Sequence, residues 1–117
     1  MKPHDRDLAY IWDMCEAARL IIEFTSGFSY AQFAQDKKTQ SAVERQLEIL
    51  GEAARRVSEA FRQNHPEVPW RAMIGLRNIL AHEYGEIRVD RIWLIATTGI
   101  PEMLAALSPL LPPVEEV

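Results

Sequence analysis

Between Gly75 and Gly85 the chain sets Arg77, Asn78, His82, Glu83 and Tyr84 into a segment otherwise built from Leu, Ile and Ala. A core helix has no need of that cluster, and the cleavage of an RNA phosphodiester can use it. A histidine, titrating at about pH 6.5, can take the proton of a 2′-hydroxyl and return one to a leaving 5′-oxygen. An arginine supplies a fixed planar cation for the charge that gathers on the phosphorus oxygens. Neither step requires a metal. Tyr84 offers a ring to stack on a base and a hydroxyl to donate to a phosphate.

Read as a helix, the segment places Asn78 and His82 four residues apart on one face, where the amide can orient the imidazole. Arg77, Ala81 and Tyr84 form an adjacent stripe. Arg77 and His82 are five residues apart, about 140° around the axis at 3.6 residues per turn. Either the last turn unwinds near His82, or the two side chains meet a ligand from opposite sides of a groove, with help from a second subunit. A structural role competes with the chemical one: Arg and His at a helix end also satisfy its last carbonyls and oppose its dipole, and Tyr84 also suits a core or an interface.

The elements that must hold this segment read as helices. Leu8, Ile11, Trp12, Cys15, Ala18 and Ile22 recur at three- and four-residue steps, predicting a helix from about Asp5 to Phe24, with Asp5 or Asp7 at its acidic start and Thr25-Ser26-Gly27 at its end. Phe28 to Asp36 predicts a short helix capped by Ser29, with Tyr30 and Phe33 turned inward. Lys37 to Gln40 marks a bend or the first turn of the next helix. From about Thr39 to Asn64 runs the longest periodic segment, with Val43, Leu47, Leu50, Ala54, Val57 and Phe61 on one side and Glu48, Glu52, Arg55 and Arg56 offering pairs on the other. Gly51 in its middle costs ~1 kcal/mol relative to Ala, which fits a second backbone crossing there. His65-Pro66-Glu67-Val68-Pro69 stops that helix, and Trp70 to Glu83 follows as the motif helix. A last helix starts near Val89 or Asp90 and is interrupted at Gly99-Ile100-Pro101, resuming through Met103, Leu104 and Leu107 as a kinked continuation or a separate turn. The tail from about Pro109 reads as frayed.

No segment alternates with strand periodicity. The expected fold is all-α, an antiparallel four-helix bundle with one additional short helix, forming a single domain over residues 1–117. At 117 residues, 48% hydrophobic and 26% charged, the chain can bury a core without disulfides. No uninterrupted apolar run approaches the roughly 20 residues that span a bilayer, and the N-terminus has no signal-peptide pattern, so a cytoplasmic protein without a membrane partner is expected. Cys15 falls on the apolar stripe as a buried thiol. The net charge of −4 argues against a protein that coats nucleic acid nonspecifically. Residues 55–91, with seven Arg against five acids, form the only basic section, and it contains the motif. His4 and His65 lack partners at metal-ligand spacing, His82-Glu83 with Glu86 is not H-E-x-x-H, and no Gly-rich phosphate loop is present. No metal or cofactor is expected.

Arg77-Asn78-Ile79-Leu80-Ala81-His82-Glu83-Tyr84 has the form R-x4-H-x-Y, with a polar residue directly after the Arg. It resembles the HEPN superfamily, and its HepT-like branch in particular. Residues 42–53, Ala-Val-Glu-Arg-Gln-Leu-Glu-Ile-Leu-Gly-Glu-Ala, resemble that branch's long helix, and His65-Pro66-Glu67-Val68-Pro69-Trp70 resembles its loop into the motif, so the likeness covers nearly the whole chain. The resemblance implies a HEPN-like bundle that forms a homodimer, with the two motif helices lining a shared cleft. It implies a metal-independent endoribonuclease acting on RNA as the toxin of a type VII toxin–antitoxin pair, with an MNT-type nucleotidyltransferase as antitoxin. By position, Arg77 and His82 would be catalytic, Asn78 would orient them, and Tyr84 would accept AMP from the partner. A dimeric cleft would also resolve the offset of about 140° between Arg77 and His82 on one helix. Glu83 departs from the family pattern, which often has a small residue there; a carboxylate beside His82 would raise its pKa or repel RNA. The alternative is a non-catalytic helical module that binds nucleotide or a nucleotidyltransferase.

Overall fold

A computed structural model describes residues 3–82 and 89–112, with side chains described for 5–80 and 89–112. Among the described residues every regular element is helical: α1 (Pro3–Thr25), α2 (Tyr30–Ala34), α3 (Lys37–Arg56), α4 (Glu59–Asn64), α5 (Trp70–His82), α6 (Val89–Leu94), a π-helical turn (Ile95–Gly99), α7 (Ile100–Leu107) and a 3-10 turn (Ser108–Leu110). The fold is the expected all-α, HEPN-like bundle. Its four long members are α1, α3, α5 and the continuous run Val89–Leu110. α1 packs against both α3 and α7, and α5 packs on α3.

Along α1 the buried face is Ile11, Met14, Cys15, Ala18 and Ile21, at the three- and four-residue steps of a helix, with Cys15 fully enclosed. Burial pushes the Cys15 thiol upward. Trp12 does not share that face: it is 54% exposed, because it lies a full residue's rotation beyond Ile11 and away from the line of Ile11, Met14 and Ala18. Nor does Asp7 serve the helix dipole. The helix starts upstream at Pro3, and Asp7 is buried, its two oxygens accepting from the backbone N–H of Ser58 at 2.8 Å and the Ser58 hydroxyl at 2.7 Å. The chain leaves α1 through Gly27, whose φ of +80° is cheap only without a side chain.

α2 has the expected Ser29 cap, which accepts from the Gln32 amide while the Gln32 side chain accepts from the Ser29 amide. Phe33 is buried, but Tyr30 is exposed and lies tilted over Trp93, with ring centroids 6.2 Å apart. Asp36 caps the next helix by accepting from the Thr39 amide at 3.0 Å, so Lys37 to Gln40 is the first turn of α3.

The expected single helix from Thr39 to Asn64 is two. α3 ends at Arg56, Val57 turns extended, and Ser58 caps α4 by accepting from the Phe61 amide. The break was invisible to periodicity because Val57 and Phe61 keep a four-residue step across it. Its cause is Asp7, distant in sequence, which binds Ser58 and holds it out of the helix. The bundle therefore carries two short helices, α2 and α4, where one was expected.

The last helix is not interrupted at Gly99-Ile100-Pro101. Pro101 has no N–H and its ring crowds the carbonyl four residues back; the π turn accommodates this, with the Ile100 amide donating to the Ile95 carbonyl five residues away. Ile92, Ala96, Ile100, Met103 and Leu107 then stay on the core side. Because the helix runs through, its 22 residues have the length and apolarity to cross a bilayer, at a mean hydropathy of 1.2 over the most apolar stretch, which the reading by uninterrupted apolar runs did not reveal. The 3-10 turn carries the path past Pro109, with Leu110 and Leu111 half-buried against the core.

Candidate active site at the crossing of α3 and α5

α5 is aimed from its N-terminal end. Val68 is buried, the Trp70 indole donates to the His65 carbonyl at 2.9 Å, and Phe61 of α4 packs on the His65 ring at 4.5 Å and edge-on to Trp70 at 6.3 Å. The Met73 amide donates to the Pro69 carbonyl, starting the helix at the proline-rich loop. Met73, Leu76 and Leu80 then bury one stripe of α5. That stripe fixes the rotation of the helix and turns Arg77 and Asn78 to the outside.

At mid-helix α5 meets α3 backbone to backbone. A Cβ on Gly51 would lie 3.1 Å from the Met73 carbonyl oxygen and 3.4 Å from the Arg77 amide nitrogen. The glycine thus marks the close crossing that its position in a long helix predicted. One residue on, Glu52 reaches across: the Arg77 Nη1 donates to Glu52 Oε2 at 3.0 Å. The same carboxylate accepts from Arg55 Nη2 at 2.7 Å and Arg56 Nε at 3.1 Å. Hydrogen bonds from Arg55 and then Arg56, with the Arg77 charge adding to them, bring the Glu52 carboxyl down to about 2. Binding to Glu52 raises the Arg55 and Arg56 guanidinium pKa values in turn.

Arg77 opens onto a groove of about 560 Å³ between α1, α3 and α5. Arg45, Arg56 and Arg77 line it, with Asp13, Glu48 and Glu52 and the ring of Tyr10. The charges balance one for one, so the groove presents individual guanidinium groups and not a broad basic field. On the other flank of α5, Met73, Leu76 and Ile79 face Leu94, Ile95 and Met103 of the last helix across an apolar groove of about 640 Å³.

Of the residues singled out in the sequence, Arg77 and Asn78 are exposed on α5. α5 is helical through its last residue, His82, so unwinding before His82 does not bring it toward Arg77; the side chain of His82, and Glu83 and Tyr84 altogether, lie outside the described residues. Sequence reasoning missed Glu52 as a partner of Arg77, having assigned it to Arg55 and Arg56 on its own helix. The signal was present: Gly51 announced a helix crossing, and an acid beside such a glycine has a second backbone within reach.

Comparison with known proteins bears on this arrangement. The sequence profile described as ribonuclease HepT-like matches residues 14–110. A protein of Methanocaldococcus jannaschii named "Putative RNase MJ1380" is 42% identical over 95 residues, covering 81% of this chain and 87% of that one. The "Probable ribonuclease HepT" of Thermococcus cleftensis is 42% identical over 103 residues, covering 88% and 92%. A second M. jannaschii protein, "Putative RNase MJ0127", is 36% identical over 107 residues, covering 92% and 88%. No solved structure matches at a significant level. The likeness runs from the middle of α1 to the final 3-10 turn and takes in both helices of the crossing, so the chain belongs to the ribonuclease HepT-like family of the HEPN superfamily.

Proposed function

We propose that the protein is a metal-independent endoribonuclease toxin whose site is built from Arg77 and His82 of two chains. The observation that carries the reading is Arg77: half-exposed and anchored on the helix bearing R-x4-H, it opens onto a groove, in a chain of the HepT-like family. In the reaction the 2′-oxygen attacks phosphorus and gives up its proton to a base, the bond to the 5′-oxygen breaks, and that oxygen receives a proton. The products are a 2′,3′-cyclic phosphate and a 5′-hydroxyl. His82 performs the proton steps and Arg77 neutralises the phosphoryl oxygens. Asn78, four residues before His82, orients the imidazole.

Two features favour a homodimer. Arg77 and His82 remain about 140° apart on one continuous helix, and the apolar groove beside α5 exposes Leu94, at 63%, for a second copy to cover. The partner that restrains the toxin is an MNT-type nucleotidyltransferase transferring AMP to Tyr84. The added phosphate places negative charge two residues from His82 and repels the RNA backbone.

RNA cleavage and growth arrest by the wild type and His82→Ala, each expressed without a partner, test the assignment: the wild type cleaves and arrests, the variant does neither, and equal cleavage by both would remove His82 from the mechanism. Intact mass after co-expression with the nucleotidyltransferase should show AMP additions that Tyr84→Phe abolishes. A second reading has one observation behind it, the balanced charge of the groove at Arg77. It suits a module that holds a nucleotide phosphate without cutting RNA, and predicts tight nucleotide binding with no cleavage.

A further inference from the structure

We propose that Glu52 is a positioning residue of this site, holding the Arg77 guanidinium in one orientation toward the substrate phosphate. The inference rests on the ribonuclease reading of Arg77 and adds a residue on a second helix.

The geometry is specific. Glu52 accepts from Arg77 across 25 positions of sequence, while its bonds to Arg55 and Arg56 stay within three and four residues on α3. Arg55 spans the carboxylate, donating from Nη2 to Oε1 at 2.7 Å and from Nε to Oε2 at 3.4 Å, while Arg56 Nε adds a bond to Oε1 and Arg77 Nη1 one to Oε2. The local arginines thereby fix the carboxylate, and the carboxylate fixes Arg77. Gly51 makes the reach possible, because α3 and α5 touch at that residue with no side chain between them. A guanidinium carries five N–H donors, and with Arg77 59% exposed the pair anchors the group without enclosing it.

An exposed arginine otherwise samples many rotamers, and ordering it when the phosphate arrives costs part of the binding energy that could act on the transition state. A cation held beforehand acts through preorganisation and not through reorganisation. The carboxyl of Glu52, lowered to about 2, stays ionised wherever a histidine titrates, so the anchor does not release Arg77 across the working range.

The test is a double-mutant cycle on the full chain with a single-stranded RNA oligonucleotide. Glu52→Gln should lower kcat by about tenfold with KM changed less than threefold, the scale of a lost orientation and not of lost binding. Glu52→Asp, which keeps the charge but shortens the reach, should fall between. Glu52→Gln/Arg77→Ala should be no slower than Arg77→Ala alone. An unchanged kcat in Glu52→Gln, a loss confined to KM, or multiplicative losses in the double variant would each overturn the proposal. Guanidinium nitrogen NMR of the wild type gives an answer even where Glu52→Gln does not fold: Arg77 should show slowed rotation and exchange relative to Arg71, an exposed arginine of the same helix, and equal mobility would overturn the proposal. Absence of RNA cleavage by the wild type would sink the ribonuclease reading instead, leaving the positioning claim to stand or fall on that NMR comparison.

Discussion

Asp7 and Glu52 show two uses of a carboxylate. Asp7 is 6% exposed and spends both oxygens on Ser58, one on its backbone amide and one on its hydroxyl. Replacing it with Ala takes the acceptor from the Ser58 amide and hydroxyl and removes what holds the α3–α4 corner. Asp7→Ala should therefore lower unfolding stability by about 1–3 kcal/mol, read by urea denaturation. Glu52 is a surface hub whose effect appears through pH. Its folded pKa lies below the unfolded value of 4.5, so its contribution is complete above 4.5 and is lost as pH falls toward 2. Thermal melts of the wild type and Glu52→Gln should converge along that acid range and differ above it. At this scale the sequence made Arg77 and Asn78 legible, since polar groups in a greasy helix advertise themselves. It hid Asp7 and half of Glu52, since their partners are set by tertiary contacts.

At the scale of elements, the sequence was legible wherever one helix determines itself. The stripes of α1 and α3, the Ser29 cap and the stop at Pro66 follow from local rules. It failed where a distant group intervened: α3 breaks because Asp7 claims Ser58, and no periodicity records that. It also fell short at Pro101, where an interruption followed by a kinked continuation or a separate turn was expected and the helix runs on by widening through one π turn. Gly51 gives the sharpest test of the α3–α5 crossing. In an isolated helix Gly51→Ala would gain ~1 kcal/mol. Here the new methyl would sit 3.1 Å from a carbonyl of the facing backbone, which cannot swing aside as a side chain can. The overpacking cost of about 1–3 kcal/mol should outweigh the gain, giving a lower urea midpoint and, under the ribonuclease proposal, slower RNA cleavage as α5 is pushed away.

For the whole molecule, the extents of 44 × 35 × 22 Å describe a flattened bundle with an apolar groove open between α5 and the last helix. The all-α class was legible because every long segment had helical period. The groove was not, because it lies between two elements, and a period read along one helix does not show how far its stripe stands from the next. Under the dimer proposal, Leu94→Glu should give a monomer by light scattering and a large loss of cleavage while circular dichroism stays helical, since Leu94 is 63% exposed within one chain. α7, near the end of the chain, packs on α1 at its beginning. α3 and α7 both follow α1 in the chain, so the Ile11–Ile21 face is covered in two stages during synthesis, first by α3 and completely only once the last helix has emerged. A nascent chain halted after α5 should bind a hydrophobic dye and yield to protease, and adding the final helix should protect it in a single step.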